Sequence, residues 1–349
     1  PELSSLLTFD LGYADDNVVG YDHPQVLLFR NQLKLPEGEI RLQLSRTRTD
    51  PFQRPPVGLL MTAEEAAEQQ SGGTWSSIIL RHSWTNALPV LAWLLVVELV
   101  YLAALPLSIF LFRRLPDRGV VLARILGLLG ASYVTWLMVS LGWIDFSRTS
   151  ILLGLLLVAL LSGLVLATRW REVKVFFIEN WRLLVIGESL FLIAFLVFVL
   201  VRAANPDLWH PFRGGEKPME LAYLNAVLRS TTFPPYDPWY AGGYLNYYYW
   251  GYLVISVPLL ITGISPHIGF NLAVPLLFAL TATGAYSIGY NLAQSVSKYP
   301  VDSFGRSSSK ERMLIGKIPL KGPMFAGLSA LVFVVVLGNL DGFVDLKST

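Results

Sequence analysis

Residues 205–251 read NPDLWHPFRGGEKPMELAYLNAVLRSTTFPPYDPWYAGGYLNYYYWG, and this stretch decides the fold. It is dense in Pro, Gly, Trp and Tyr, and a long apolar run lies on each side of it. A polar, aromatic loop between two apolar runs is typical of a membrane protein whose chemistry takes place next to lipid. The flanking apolar runs therefore indicate the fold, and the charged residues of the loop are candidates for function.

The composition of the chain favours a membrane protein. Its residues are 53% apolar and only 15% charged, whereas a soluble globular protein is about 25% charged. The net charge of +2 at pH 7 gives no indication of nucleic acid binding. Because the chain has no cysteine, disulfides, thiol catalysis and cysteine-ligated metals are excluded.

Several apolar stretches reach the roughly 20 residues that a helix needs to cross a bilayer. They are apolar all round rather than amphipathic, as expected for helices surrounded by lipid or by other helices. We therefore predict an all-α polytopic membrane protein with about seven transmembrane helices. The predicted spans are 87–112, 119–143, 150–168, 183–202, 246–264, 268–294 and 323–340.

Residues 1–85 differ from the rest, because they carry charges and turns. The apolar/polar alternation at 39–44 predicts a strand and 61–70 predicts a short polar helix, so we expect a small mixed α/β lobe. A three-helix membrane segment at 86–182 and a second membrane module at 183–349 follow. The chain starts at Pro1 and stops just after an apolar run, so we expect a piece of a longer protein, with the second module incomplete at its C-terminus.

Basic residues in short loops predict the orientation in a plasma (inner) membrane. Arginines and lysines concentrate at 113–118 and 169–182, which predicts that both of these loops are cytoplasmic. Residues 1–85 and the loop 203–245 are then both extracytoplasmic.

The linker 295–322 conflicts with this topology. It carries six basic residues, yet simple counting of spans puts it on the outside. Either the linker escapes the rule, or one of the stretches 246–264 and 268–294 does not fully cross. Prolines at 258, 266 and 275 make a broken or re-entrant segment a reasonable explanation.

Two carboxylates of the loop, Glu216 and Glu220, are candidates for catalysis. Pro218 suits the first turn of a helix and 219–230 has strong helical character, so Glu220 would lie in the first turn of a short helix outside the fourth span. A carboxylate there can act as a general base toward an acceptor hydroxyl. The ordinary alternative is a helix-start carboxylate favoured by the helix dipole or paired with Lys217.

Arg213, Lys217 and Arg229 are the nearby cations. A phosphate or diphosphate on a lipid would need such partners. The alternative is ordinary solvated or headgroup-facing charge, and it is the better explanation for Arg229.

The aromatic part of the loop offers a further set of candidates: Asp237, Trp239, Asn246, Tyr247, Tyr248 and Tyr249. The aromatic rings could stack on a sugar or line a groove for an isoprenoid chain, but interfacial aromatic belts are common in membrane proteins. Asp237 is better explained as the cap of the following turn. Three consecutive tyrosines cannot all face one side, so at least one should point into the protein.

Elsewhere, Glu98 and Glu188 lie inside predicted spans, where a charge is costly. Each of these carboxylates must therefore be protonated or hydrogen-bonded.

The four histidines match no metal-ligating spacing, so we predict no protein-ligated metal. Nucleotide-binding and serine-hydrolase motifs are likewise missing from the sequence.

Three segments carry a resemblance to a known family: LFRRLPDRGVVLARILGLLGASYVTWL (111–137), HPFRGGEKPMELAYLNAVLRS (210–230) and DPWYAGGYLNYYYWG (237–251). Over about 86–349 the chain resembles the "YYY" family of large prokaryotic membrane proteins. That family is in turn distantly similar to GT-C glycosyltransferases, which are polytopic enzymes that take a sugar from a polyprenyl-phosphate carrier.

The resemblance implies a GT-C-like arrangement, in which an acidic residue on a short juxtamembrane helix precedes a proline-rich and aromatic entry into the next span. Glu220 matches the catalytic carboxylate best and Glu216 second, although the acid of GT-C enzymes is most often Asp. An Arg or Lys would hold the carrier phosphate, and the aromatic residues would line the sugar or lipid path. Some GT-C members use a divalent metal, but this sequence has no dedicated ligand cluster.

Two other functions stay open. The chain could be a non-catalytic scaffold subunit of a larger envelope or energy-transducing complex, with the tyrosines as an anchor. It could also be a transporter for a lipid-linked substrate that uses Glu188 or Glu98. The expected partners are accordingly membrane lipids, a polyprenyl-phosphate sugar or membrane-protein subunits, and no nucleic acid.

Overall fold

The computed structural model describes residues 36–39, 42, 60–70, 72–208, 216–240, 242–298 and 321–339. These ranges are mostly helical and contain no strand, only two isolated β-bridges. The helices are α1 Ala63–Gln70, α2 Trp75–Ile78, α3 Trp84–Ala87, α4 Pro89–Leu111, α5 Ala123–Ser140, α6 Arg148–Ala204, α7 Lys217–Arg229, α8 Tyr249–Thr262, α9 Pro266–Lys298 and α10 Lys321–Val335, followed by a 3-10 turn, Leu337–Asn339.

The strand predicted at 39–44 is wrong where the structure describes it, because Glu39 and Leu42 are helical. An alternating stretch holds a strand only when a partner strand accepts its hydrogen bonds, whereas a helix forms its bonds locally. The remainder of that stretch lies outside the described residues. The polar helix at 61–70 is confirmed as α1, which Thr62 caps through paired hydrogen bonds with Glu65 at 2.7 and 3.2 Å.

Four helices, α4, α5, α6 and α9, are long and apolar enough to cross a membrane, and α8 and α10 are shorter apolar helices. The chain is therefore an all-α, membrane-type protein in the part that the structure describes.

Small residues allow close helix contacts, as expected for packing in lipid. A Cβ on Gly127 would lie 2.6 Å from a methyl of Val100, and one on Gly289 would lie 2.7 Å from the backbone oxygen of Ala326.

Helix α6 is not straight. A straight helix of its length, 57 residues, would be about 85 Å long. Non-helical backbone angles at Arg169 and Asn180 divide it into arms 148–168 and 181–204 with a short bend between them. Its first residue, Arg148, bonds the Leu260 oxygen at 2.6 Å, and Arg202 near its other end bonds Asn271, so both arms end beside the junction of α8 and α9.

We name the two ends of the bundle by their residues. The aromatic end consists of 72–88, 141–147, 230–240 and 242–249, and the basic end consists of 112–122 and 169–180. The described residues of 60–73 pack on those of the loop 230–244 at the aromatic end. Gln69 bonds the Thr232 hydroxyl at 2.9 Å, and the backbone of Met61 bonds that of Gly242 at 2.9 Å.

Helix α8 begins and ends at the aromatic end. At its start, the Tyr249 hydroxyl accepts a 3.0 Å hydrogen bond from Trp136, near the C-terminus of α5. At its finish, the Gly263 oxygen accepts bonds from the Leu80 amide at 2.9 Å and the Asn86 side chain at 3.0 Å, just before α4. The stretch 246–264 therefore does not run from one end of the bundle to the other.

This path removes the conflict over the basic linker. Helix α9 starts at the aromatic end and reaches the basic end, where Ser287 and Asn291 bond Asp117 of the loop 112–122 at 2.5 and 3.0 Å. Helix α10 packs beside α9, since Gly327 contacts Tyr286 and Ala330 contacts Gly289. Helix α9 therefore ends at the basic end, where the loop 112–122 and the bend of α6 also lie, in agreement with the second explanation above.

Candidate functional site

Helix α7 places Glu220 at the edge of the packed bundle. Pro218 sits in its first turn, where the missing amide hydrogen costs nothing. Glu220, Leu224 and Val227 follow each other at helical spacing, so they share one face. Leu224 and Val227 are completely buried, mainly against α8, and Glu220 continues the same stripe to a half-buried position.

The electrostatic setting of Glu220 favours its protonated form. Burial is the main cause that raises the pKa of its carboxyl group, the negative charge of Glu216 raises it further, and Lys217 acts in the opposite direction. No residue in the described part of the chain forms a hydrogen bond or ion pair with the Glu220 side chain. Glu216 precedes the helix, is exposed, and forms no capping bond.

A pair of cations lies beside this helix start. The Lys217 ammonium and the Arg202 guanidinium each reach the same backbone oxygen, that of Asp207, at 3.5 Å. Arg202 also bonds Asn271, and its buried Nε has no partner among the described residues. Sequence reasoning missed Arg202 because it belongs to the last turns of an apolar helix, where a single arginine has no distinctive pattern.

The three consecutive tyrosines separate as predicted, with one of them pointing into the protein. Tyr248 adopts a left-handed backbone conformation with φ of 58°, which turns the chain just before α8. Tyr247 and Tyr248 are exposed and stack with ring centroids 3.9 Å apart, whereas Tyr249 packs inward on Trp136 and Phe233.

The exposed tyrosine pair lies close to the acidic pair. A hydrogen bond with Tyr247 is the main cause that raises the pKa of Tyr248, and the charges of Glu216 and Glu220 add to it. Tyr252, one turn into α8, also lies within electrostatic reach of Glu220, and its ring packs edge-on against Tyr223 at 6.1 Å. The phenol groups of Tyr248 and Tyr252 therefore lie on the same side of the bundle as the Glu220 carboxyl group.

Other predicted site residues lie elsewhere. Asp237 caps its own turn, because its carboxylate accepts the amides of Trp239 at 2.8 Å and Tyr240 at 3.1 Å. Trp239 and Asn246 are exposed. Arg229 lies nine residues beyond Glu220, about 13 Å along the helix, with its guanidinium 5.6 Å from the Trp75 ring. Arg213 lies outside the described residues.

The predicted intramembrane carboxylates meet at one arginine that sequence reasoning missed. Arg124, at the start of α5, bonds both oxygens of Glu98 at 2.7 Å and one oxygen of Glu188 at 2.5 Å. Its guanidinium lies 4.1 Å from the Tyr101 ring centroid and 3.9 Å from that of Phe191. Only 2% of the arginine side chain is exposed, so its charge depends on these partners.

In the described ranges, no group of three or more histidine, aspartate or glutamate side chains is arranged to hold a metal ion.

No curated protein and no solved structure matches the chain. A family sequence model does match residues 130–349, which include the bend of α6, the whole of α7 and the tyrosine cluster. The chain therefore belongs to the family described as Uncharacterized membrane protein (DUF2298).

Proposed function

We propose that the chain is a membrane glycosyltransferase of GT-C type, which transfers a sugar from a polyprenyl-phosphate carrier at the aromatic end. The observation that supports the proposal best is Glu220. Its carboxylate is half-buried, has a raised pKa, and has no partner in the described part of the chain. Keeping such a group costs folding free energy, so a chemical role is a reason for its presence.

The proposed step needs one base and one anion site. Glu220 takes the proton from an acceptor hydroxyl while the hydroxyl oxygen bonds to the anomeric carbon of the sugar. The bond between that carbon and the carrier phosphate breaks, and polyprenyl phosphate leaves with the electron pair. A carboxylate with a raised pKa is the stronger base for this purpose.

Lys217 and Arg202 are the proposed phosphate partners. Both side chains converge on the Asp207 oxygen, so two positive charges lie together beside Glu220 without an ion pair to any described carboxylate. Guanidinium and ammonium groups are the usual protein partners of phosphate. The stacked Tyr247 and Tyr248 offer exposed aromatic faces on which a sugar can pack.

An apolar cavity of about 550 Å³ between α5, α8, α9 and α10 is consistent with a lipid-linked donor. Its walls include Leu129, Val254, Leu277 and Ile288. A long isoprenoid chain needs such a wall, because its transfer from water to an apolar surface is favourable.

The test is transfer from synthetic polyprenyl-phosphate sugars by the full chain in liposomes. Glu220→Gln should reduce the rate by about 10²–10⁴-fold, the usual contribution of a general base. The matched control is Glu216→Gln, which removes the same charge one turn away and should keep most of the activity. Full activity of Glu220→Gln, or no transfer by the wild type across the donor panel, would overturn the proposal.

The two alternatives predict different results. For a scaffold subunit Glu220→Gln is silent, and changes where residues 60–73 pack on the loop 230–244 disrupt the complex. For a transporter Glu188→Gln is the damaging change. The bonds from Arg124 to both Glu188 and Glu98 favour a structural role for these carboxylates.

We further propose that the basic end faces the cytoplasm and the aromatic end faces outward across the plasma membrane, following the positive-inside rule. Because the chain has no cysteine, single cysteines can report the side directly. Tyr247→Cys should react with a membrane-impermeant maleimide in intact cells, and Arg114→Cys only after the cells are permeabilised. The reverse pattern would contradict this orientation.

A further inference from the structure

A cavity of about 580 Å³ opens at the basic end, on the opposite side of the bundle from Glu220. The loop 112–122, the bend of α6 and the end of α9 enclose it. Its charged lining consists of four arginines and two glutamates, a net charge of +2: Arg113, Arg114, Arg118, Arg171, Glu172 and Glu179. None of these groups takes part in the proposed activity at the aromatic end.

Part of this charge is already neutralised within the protein. Glu172 pairs with Arg118 at 3.0 Å and with Arg169 at 3.4 Å. Within the described ranges Arg113, Arg114 and Arg171 form no ion pair, and Arg114 and Arg171 are exposed. The cavity therefore presents guanidinium groups that are free to bind an external anion.

Buried hydrogen bonds hold the loop that carries Arg113, Arg114 and Arg118. Asp117 is fully buried, where it bonds the Gly119 amide at 2.8 Å and the Ser287 hydroxyl at 2.5 Å. The Gly119 oxygen in turn accepts a 2.7 Å bond from Ser108. The loop is thus fixed to α4 and α9, so the arginines start from a preorganised backbone and lose less entropy when a ligand binds.

The level of the cavity along the bundle points to lipid headgroups. Trp170 and Trp181 lie on either side of the bend of α6, with 57% and 55% of their surface exposed. Exposed tryptophans in membrane proteins concentrate at the boundary between acyl chains and headgroups. The walls also include the apolar residues Val175 and Phe176, beside which an acyl chain can lie.

From this geometry we propose that the cavity binds the phosphate headgroup of an anionic membrane lipid. Guanidinium groups match phosphate oxygens with two parallel hydrogen bonds, and basic pockets between membrane helices suit anionic headgroups. A soluble phosphate compound shares the recognition chemistry, but it would not need the apolar wall or the tryptophans at this level.

The test counts lipids that stay on the purified full chain in native mass spectrometry. Phosphatidylglycerol is the anionic probe, phosphatidylcholine is the zwitterionic comparison, and inorganic phosphate is the soluble competitor. Arg114→Gln/Arg171→Gln removes two cavity charges. The matched control, Lys174→Gln/Arg182→Gln, removes two charges at the bend of α6 and just beyond it, but neither residue lines the cavity.

We expect phosphatidylglycerol to bind the wild type in preference to phosphatidylcholine. The cavity variant should lose affinity by about 30-fold, which corresponds to about 1 kcal/mol for each basic side chain removed. The control variant should stay within about threefold of the wild type, since diffuse attraction outside the cavity is screened by salt. Should the double variant fail to fold, Arg114→Gln alone carries the test with about a fivefold loss.

Three results would overturn the proposal. Equal retention of the two lipids by the wild type would show that the cavity does not select anionic headgroups. Unchanged phosphatidylglycerol binding by the folded cavity variant would exclude these arginines. Complete displacement of the lipid by millimolar inorganic phosphate would assign the cavity to a soluble phosphate compound.

Discussion

The carboxylates inside the bundle and the carboxylate at its aromatic end are held in opposite ways. Glu98 and Glu188 both accept hydrogen bonds from the buried Arg124. Glu220 is also removed from water in part, yet it has no hydrogen-bond or ion-pair partner in the part of the chain that the structure describes. The first pair is a closed structural unit, whereas Glu220 has the unpaired carboxylate that the proposed general base requires.

This difference shows how to rank ionisable residues in a membrane protein. A carboxylate within an apolar span attracts attention from the sequence, but a matched partner gives it a structural explanation. A carboxylate at the start of a short helix looks ordinary from the sequence, but burial without a partner makes its retention costly. Stability measurements on variants of both groups can therefore test the comparison directly.

The largest effect is expected for Arg124→Gln. It leaves Glu98 and Glu188 together without their shared cation, and removal of one partner from a buried ion pair costs up to about 3–5 kcal/mol. The variant should unfold at a much lower temperature in detergent, as followed by tryptophan fluorescence. Replacing both glutamates with glutamine in the same variant should recover much of the loss. A single variant as stable as the wild type would show that the cluster is not structural.

An intermediate effect should separate the two glutamates. Arg124 reaches Glu98 through both its Nε and its Nη2 atoms, at 2.7 to 3.2 Å, but it reaches Glu188 through Nη2 alone. Glu98→Gln should therefore destabilise the protein more than Glu188→Gln, with a difference of about 1–2 kcal/mol from the extra charged hydrogen bonds. Thermal unfolding of the two variants side by side measures it. The reverse order would mean that Glu188 is the main partner of Arg124.

The smallest effect, with the opposite sign, is expected for Glu220→Gln. Because the pKa of Glu220 is raised in the folded protein, folding favours the protonated form. Protonation of Glu220 therefore stabilises the folded protein fully below the ordinary carboxyl pKa of about 4.3. This stabilisation is lost as the pH rises through the raised pKa that Glu220 has in the folded protein. Glutamine avoids that loss, so the variant should be at least as stable as the wild type at pH 7.

The unfolding temperatures of Glu220→Gln and wild type should converge near pH 4, since the protonated carboxyl and the amide are then both neutral. Glu216→Gln serves as the comparison, because it relieves only the repulsion between the two carboxylates and leaves Glu220 buried, so its pH-dependent difference should be the smaller one. A Glu220→Gln variant that is less stable than the wild type at pH 7 would indicate a bonded, structural carboxylate. Glu220 would then not differ from Glu98 and Glu188.

Much of the helical framework could be predicted from residues alone. The spans predicted at 87–112 and 119–143 correspond to α4 and α5, and the short helix predicted at 219–230 corresponds to α7. Each of these predictions depends only on residues that are neighbours in the sequence. The spans follow from the favourable transfer of apolar side chains out of water, and the helix ends follow from the residues that favour them. The inward turn of one tyrosine at 247–249 was also predictable, from side-chain geometry.

The strand prediction at 39–44 was wrong because strand formation depends on residues that are distant in the sequence. Alternation shows that a strand could bury one face, but only a partner elsewhere in the chain decides whether that strand forms. The same limit applied to Arg202 and Arg124, which looked like isolated charges at the ends of apolar helices. Their partners Asn271, Glu98 and Glu188 lie tens of residues away, so no local pattern could identify them.

By itself, the sequence determined that this is a helical membrane protein, that its basic residues concentrate in a few connecting segments, and that Glu220 lies in the first turn of a short helix. Only the tertiary structure decided that α8 starts and ends at the same end of the bundle, and that Arg124 joins two carboxylates while Glu220 has no described partner. The reason is physical: hydropathy and helix capping are properties of neighbouring residues, whereas burial and ion pairing depend on which distant segments pack together.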